Sequence, residues 1–323
     1  MASRISSASY PFRKNFTLPD KDMVRWFPGH MQKGVLQVQH MLKNIDCVVE
    51  VHDARIPFSG RNPRFNDIIS LRPHVLVYNK KDLCDLGNKQ RILSKLNSEG
   101  VDNVMFTQST VTTKNSFVSK ELFSMVTKAI EARPRFHREE VNEFNLLVLG
   151  VPNIGKSTFL NYMRRLNTTH QKKAALVGAK AGVTKSIGHR VRVNFDPPIF
   201  LIDTPGILTP TVPNIHVGMK LALCGCMPDH YVGEEYIVDY MLYWMNKQQK
   251  FYYVKYFELQ EPIDDVMPFL KHVALKKKLI KKIKSTETRQ LVHIPDFSAA
   301  ADIVLKLFRK GELGKFMLDD DLL

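Results

Sequence analysis

Residues 144–158 read FNLLVLGVPNIGKST. The apolar run ending at Gly150 has the length and composition of a buried parallel strand, and Gly150, Gly155, Lys156 and Ser157 satisfy the phosphate-loop pattern G-x-x-x-x-G-K-[ST]. Such a loop is a phosphate cradle. Glycine lets the backbone curl so that successive N–H groups face a β-phosphate, and the helix predicted over FLNYMRRL adds its positive end. Asn153, Ile154, Gly155, Lys156, Ser157 and Thr158 are therefore the candidate phosphate-binding residues. Lys156 would reach the β- and γ-phosphates, and the Ser157 hydroxyl would ligate Mg²⁺.

Upstream, RPHVLVYNKKDL at 72–83 is a second strand that delivers Asn79, Lys80 and Asp82 at its carboxyl end. A carboxylate there accepts from both the ring N1–H and the exocyclic amine of guanine, a pair that adenine does not offer. Asn79 would tether neighbouring backbone, and the Lys80 stem would cover the base. The strand in VDNVMFTQST at 101–110 ends near Ser109 and Thr110, a loop of the kind whose backbone N–H meets the guanine O6, so Ser109 is a candidate base-side residue. Downstream, Thr184 sits in a glycine-containing loop from which it could close onto Mg²⁺. The strand PIFLIDTPGIL at 198–208 then presents Asp203 for Mg²⁺ and the Gly206 N–H for the γ-phosphate. Ile207 occupies the place where many small GTPases carry a water-orienting glutamine, a task its side chain lacks the polar atoms for.

The order of these motifs is rotated. The guanine reader precedes the phosphate loop, which precedes Thr184 and Asp203, so the expected fold is α/β: a circularly permuted P-loop GTPase domain at 20–208, with a parallel-rich sheet and helices on both faces. A parallel sheet tolerates such a cut when the two ends lie close in space. Between the arm and the guanine reader, MVRWFPGHMQKG at 23–34 places His30 in a Pro-Gly turn before a helix carrying Val35, Val38, Met41 and Leu42. The strand in DCVVEVHDARIPFSGRNP at 46–63 runs into a loop with Asp53, Arg55 and Arg61. Asp53 and Arg55 either meet a ligand or pair with each other to brace that loop.

Residues 209–323 carry apolar residues at three- and four-residue spacing and read as a small helical domain. One predicted helix runs through PIDDVMPFLKHVALKKKLIKKI, whose Lys276, Lys277, Lys278, Lys281 and Lys282, with Lys284 beyond, form a basic run. Phosphate contacts to RNA are the favoured reading of that run, against a solvated helix face. Tyr252, Tyr253 and Tyr256 read as core, and the acidic ending LDDDLL as a solvated tail.

The chain has 323 residues and a formal net charge of +15, which favours a polyanionic partner. Four cysteines do not make a secreted disulfide framework. Cys224 and Cys226 lack a second ligand pair and read as core thiols rather than zinc ligands. No apolar run approaches the roughly eighteen residues of a membrane span. Residues 1–19 hold Arg4, Arg13 and Lys14 and no acid. They read equally as a mitochondrial transit segment or a short basic arm.

WFPGHM at 26–31, DARIPFSGRNP at 53–63, NKKDL at 79–83, GVPNIGKST at 150–158, GVTKS at 182–186, DTPGIL at 203–208 and the ending LFRKGELGKFMLD resemble, in identity and order, the circularly permuted ribosome-assembly GTPases of the YlqF/RbgA type. The likeness spans nearly the whole chain after the arm. It implies an enzyme that hydrolyses GTP to GDP, binds the large ribosomal subunit and its rRNA late in assembly, and leaves after hydrolysis. In this family a hydrophobic residue replaces the catalytic glutamine, here Ile207, and the histidine corresponding to His30 is held to orient the water. Lys156 and Thr184 would complete the catalytic set. Asn153 falls where a related asparagine is linked to K⁺. Departures are Gly60, where serine is common, and GVTKS. With the arm read as a transit segment, the expected partner is the mitochondrial large subunit and the location the mitochondrial matrix, with peripheral contact at the inner membrane left open. The alternative is an RNA-binding scaffold that uses GTP as an affinity ligand.

Overall fold

The computed structural model describes residues 10–19, 36, 38–109, 116–135, 138–167, 190–204, 206–207, 212–284 and 291–323. His30 and Thr184 lie outside them, as do Thr110 and the GVTKS stretch. Two compact units emerge: one joins Arg25–Met227 to Lys315–Leu323, the other joins Met1–Val24 to Pro228–Gly314.

The first unit is built on a six-stranded sheet. Its strands are β1 (Cys47–Asp53), β2 (His74–Asn79), β3 (Val104–Phe106), β4 (Phe144–Leu149), β5 (Arg190–Phe195) and β6 (Pro198–Asp203), in the spatial order β3-β2-β1-β4-β6-β5. All neighbours are parallel except β5 and β6. The central strands are mostly apolar because both faces are covered. Val48, Val49, Val51, Val75, Leu76, Val77, Leu146, Leu147 and Val148 are fully buried. Helices α1 (Lys89–Ser98), α2 (Ser116–Glu131), α3 (Lys156–Asn167) and α4 (Ile215–Leu223) belong to the same unit. The chain enters at the centre with β1, builds outward to β3, returns to the centre at β4 and builds the other way. That is the rotated connectivity expected from the motif order. It also makes a switch point between β1 and β4, where ligands bind at the carboxyl ends of the strands.

The second unit contains α5 (Glu234–Lys247), α6 (Val266–Lys276), α7 (Phe297–Lys310) and a two-stranded antiparallel ribbon, β7 (Ile280–Lys284) with β8 (Leu291–Pro295). Helix α7 shows why the sequence turns helical here. Asp296 caps it by accepting from the Ala299 N–H at 3.1 Å, Ala300, Ala301, Val304, Leu305 and Phe308 form its buried face, and Gly311 at φ +82° ends it. No helix among the described residues is long and apolar enough to cross a membrane.

Four expectations are corrected. The basic run is not one helix: α6 stops at Lys276, Lys278 adopts φ +55°, and Lys281, Lys282 and Lys284 fall in β7. The left-handed turn redirects the chain before the helix can continue. The boundary at 208 moves to Met227, so α4 and the buried Cys224 and Cys226 stand with the sheet. Residues 10–18 are not a loose arm. Arg13 donates to both carboxylate oxygens of Asp239 and, through its backbone N–H, to Asp264 at 2.8 Å, while Phe16 and Leu18 are buried. Finally, the acidic ending is not wholly solvated, since Asp319 is completely buried in the first unit. Its charge is matched by donors that a reading of local sequence does not reveal.

Candidate functional site

The phosphate loop follows β4 as expected, with α3 opening at Lys156. Its curl needs glycine at two places. Gly150 sits at φ +149°, and a Cβ there would collide with Ile154 and the carbonyl of Val51. Gly155 sits at φ +94°, and a Cβ there would lie 2.6 Å from Asn79 Nδ2. Asn153 also adopts a left-handed φ of +58°, which asparagine tolerates better than most residues.

Close approach at Gly155 brings the segment expected to read guanine onto the loop. Asn79 Nδ2 donates to the Ile154 carbonyl at 3.2 Å, while Asn79 Oδ1 accepts from the Ser109 N–H at 3.1 Å and the Ser109 hydroxyl at 2.8 Å. Ser109 thus braces the reader through Asn79. Lys80, at φ +60°, sends its ammonium to the Asn153 carbonyl at 2.9 Å and to Asp53 at 3.0 Å. Asp82 Oδ1 is buried and has no hydrogen-bond partner among the described residues. A buried acceptor left unmet is costly, and the N1–H and amine of guanine are the donors that would satisfy it.

Asp53 and Arg55 brace rather than face a ligand. Arg55 donates to Asp53 through Nε at 3.0 Å and Nη2 at 2.8 Å, with both side chains essentially buried. Burial alone would raise the Asp53 pKa, but Arg55 and Lys80 outweigh it and hold the carboxyl well below the usual range.

Lys156 is buried against the carbonyls of Gly150 at 3.1 Å and Val151 at 2.9 Å. Desolvation pushes its pKa down to about 8, against the opposing pull of Asp203. The Ser157 hydroxyl lies 3.5 Å from Asp203 Oδ2. A hydroxyl and a carboxylate oxygen side by side are the hard donors that suit Mg²⁺, so these two residues fit the ion. Gly206 packs on the phosphate loop, where a Cβ would come within 2.6 Å of Pro152 Cα. Ile207 is fully buried, and its N–H donates to the Gly150 carbonyl at 3.2 Å. Its side chain serves the core. Asn153 Nδ2 donates to the Gly225 carbonyl at 2.8 Å, which leaves the amide oxygen as its acceptor side. Ile154 is buried, and Thr158 lies in the first turn of α3.

Two of the polar clusters that escaped the sequence reading bear on this unit. Glu50, within the apolar run of β1, is buried beside His52 at 2.9 Å and His74 at 3.1 Å. An acid inside a buried strand was the available signal. Ser59, Asp319 and Lys220 form the other, and no local pattern announces it. Gly60 also gains a reason: a Cβ there would stand 2.8 Å from the Ile56 carbonyl, so this loop has no room for the serine common in the family it resembles.

Comparison with known proteins agrees with this geometry. The family described as 50S ribosome-binding GTPase matches residues 145–266. The chain is 44% identical over 313 residues to mitochondrial ribosome-associated GTPase 1 of Xenopus tropicalis, covering 96% of this chain and 99% of that protein. The chain belongs to this GTPase family. With the corresponding protein of Ictalurus punctatus it shares 45% identity over 97% of its length, and with mitochondrial GTPase 1 of Aedes aegypti 40% over 97%. Among solved structures, GNP-bound YlqF from T. maritima superposes with a TM-score of 0.55 at 20% identity, covering 87% of this chain and 95% of that one. That likeness concerns the fold, a circularly permuted GTPase. The chain is accordingly a GTP hydrolase, and the Asn79–Ile154 contact ties the segment expected to read guanine to the phosphate loop.

Proposed function

We propose that this GTPase acts in mitochondria, in the matrix, where it binds the large ribosomal subunit late in assembly and is released after hydrolysing GTP. The observation that carries the reading is the buried Ile207. The position from which a glutamine would orient water holds a side chain turned into the core, so the isolated enzyme has a slow reaction and another group must supply orientation. His30, in the FPGHM motif, is the residue we assign to that role, acting with Thr184 once the subunit is bound. The lysines after α6 and along β7 would meet rRNA phosphates. Exposed Lys277, Lys278, Lys281 and Lys282 support this, and ribbon geometry replaces the helix first expected.

Ser157, Asp203 and Thr184 would hold Mg²⁺, which would neutralise charge developing on the phosphates. Lys156 would orient the same phosphates, and the Asn153 amide oxygen is the group we assign to K⁺. The names of the relatives support mitochondrial and ribosomal association.

Steady-state GTP hydrolysis, measured with and without mitochondrial large subunits in potassium buffer, tests the reading. Wild type should be stimulated strongly and His30→Ala should lose that stimulation while still binding subunits. Binding without stimulation in wild type would favour the RNA-binding scaffold, in which GTP serves affinity and hydrolysis is incidental. Replacing K⁺ by Na⁺ tests Asn153, and its role fails if turnover is unchanged.

A further inference from the structure

We propose that the C-terminal segment Lys315–Leu323 is a positioning element of the guanine pocket and that Asp319 is its positioning residue. The inference rests on the guanine-reading role of Asp82. The segment belongs to the sheet unit, although some ninety residues of the other unit precede it in the chain. It touches the reader directly. The Phe316 N–H donates to the carbonyl of Leu83, the residue after Asp82, at 3.1 Å. The Leu318 N–H donates at 2.8 Å to the carbonyl of Arg55, whose guanidinium clamps Asp53. Asp53 in turn holds Lys80, and Lys80 holds the Asn153 carbonyl in the phosphate loop. Between these two contacts Met317 is buried in one cluster with Ala54, Leu76, Tyr78 and Cys84.

Asp319 anchors the segment. Its Oδ2 accepts from the N–H groups of Phe58 and Ser59, both at 2.8 Å, and its Oδ1 accepts from the Ser59 hydroxyl at 2.5 Å and the Lys220 ammonium at 3.1 Å. Four donors converge on one buried carboxylate, and Lys220 is itself 1% exposed. Lys220 also donates to Asp321 at 2.5 Å, so the segment supplies both acceptors of this buried cation, while the two inward N–H groups of the Phe58–Ser59 loop meet Asp319. Lys220 lies on α4, the helix that follows Asp203, Gly206 and Ile207 in the chain. The joint at Asp319 therefore ties three segments of this unit together: the C-terminal segment, the loop at Phe58–Ser59 and α4.

Base discrimination separates this role from simple structural support. Inosine diphosphate lacks the exocyclic amine, so the preference for GDP over IDP reports how well Asp82 is placed. Both ligands are titrated into the full chain, wild type and Asp319→Asn, by calorimetry at fixed salt. The variant should lose about tenfold or more in GDP affinity, with a smaller loss for IDP, so the GDP:IDP preference falls. Unchanged preference in a variant that melts cooperatively would overturn the proposal. Should Asp319→Asn not fold, Ser59→Ala carries the same test, because it deletes one hydroxyl. A loss of about threefold in GDP affinity with a lowered preference supports the role, and wild-type values for both overturn it. A wild type that does not distinguish GDP from IDP would instead overturn the reading of Asp82, and the tail's role with it.

Discussion

Asn79 holds Ser109 and Ile154 at the same time, accepting twice from the first and donating once to the second. One planar amide thereby fixes three segments that are far apart in the chain: the guanine reader after β2, the loop after β3 and the phosphate loop after β4. Its donor and acceptor are both used, which a carboxylate of the same size, having no donor when ionised, cannot do.

Asn79→Ala should therefore damage more than one contact. The Ser109 N–H would be left buried without its acceptor, at a cost of about 1–3 kcal/mol in stability. GDP affinity should fall by about tenfold or more, since the phosphate loop loses its tether. Thermal melts with and without GDP check both effects. A variant with an unchanged melt and unchanged affinity would show that the clasp is incidental.

Asp82→Asn should change which base is preferred. The buried Oδ1 becomes part of an amide that donates where the carboxylate accepted. Guanine then presents donors to a donor, whereas xanthine offers a carbonyl in place of the amine. Competition binding should show GDP weakened by about two orders of magnitude and xanthosine diphosphate strengthened, in line with losing a charge-assisted pair. Equal weakening of both would argue that Asp82 does not touch the base edge.

The pH dependence of nucleotide binding should expose Lys156. Burial lowers its pKa to about 8 before nucleotide arrives, and phosphate contact requires the charged form. Below pH 8 the lysine is already protonated and affinity should be flat. Above it, binding must take up a proton, so affinity should fall by at most about tenfold per pH unit. Stability of the nucleotide-free protein runs the opposite way. Between pH 8 and the unfolded lysine value of about 10.4 the unfolded chain holds more protons than the native one, so stability from this group rises with pH. Calorimetry in two buffers of different ionisation enthalpy reads the proton uptake directly, with pH kept below that at which guanine loses its own N1 proton.

Residues 10–18 should prove part of the folded protein. Arg13→Ala, which removes charge-assisted bonds to Asp239, should cost about 2 kcal/mol. Deleting 1–19 should cost more, because Phe16 and Leu18 leave the core with it. If the 1–19 deletion melts like wild type, the packing of this segment contributes nothing. Any leader removed on import would then be free to extend to residue 19.

The motif-bearing half of the site was legible because its chemistry is local. Gly150, Gly155, Lys156 and Ser157 are fixed in spacing by the turn they make, and Asn79, Lys80 and Asp82 by the strand end that presents them. Their order along the chain even specified the rotated connectivity that the sheet displays. The Asp53–Arg55 pair was one of two local readings, and the bidentate geometry chose between them.

The partners those residues keep were decided by the tertiary fold alone. The partner that Ser109 keeps, Asn79, shows in no local pattern, because the ends of β2 and β3 converge only once the sheet is assembled. Lys281 and Lys282 read as helix by their neighbours' periodicity, but a left-handed turn at Lys278 and pairing with β8 make them a strand. Asp319 read as a solvated end residue because its four donors come from positions more than ninety residues distant. Hydrophobic periodicity and turn chemistry act over a few residues, and a sequence states them outright. Whether a buried charge finds its counter-charge depends on long-range closure, and that is settled only when the chain has folded.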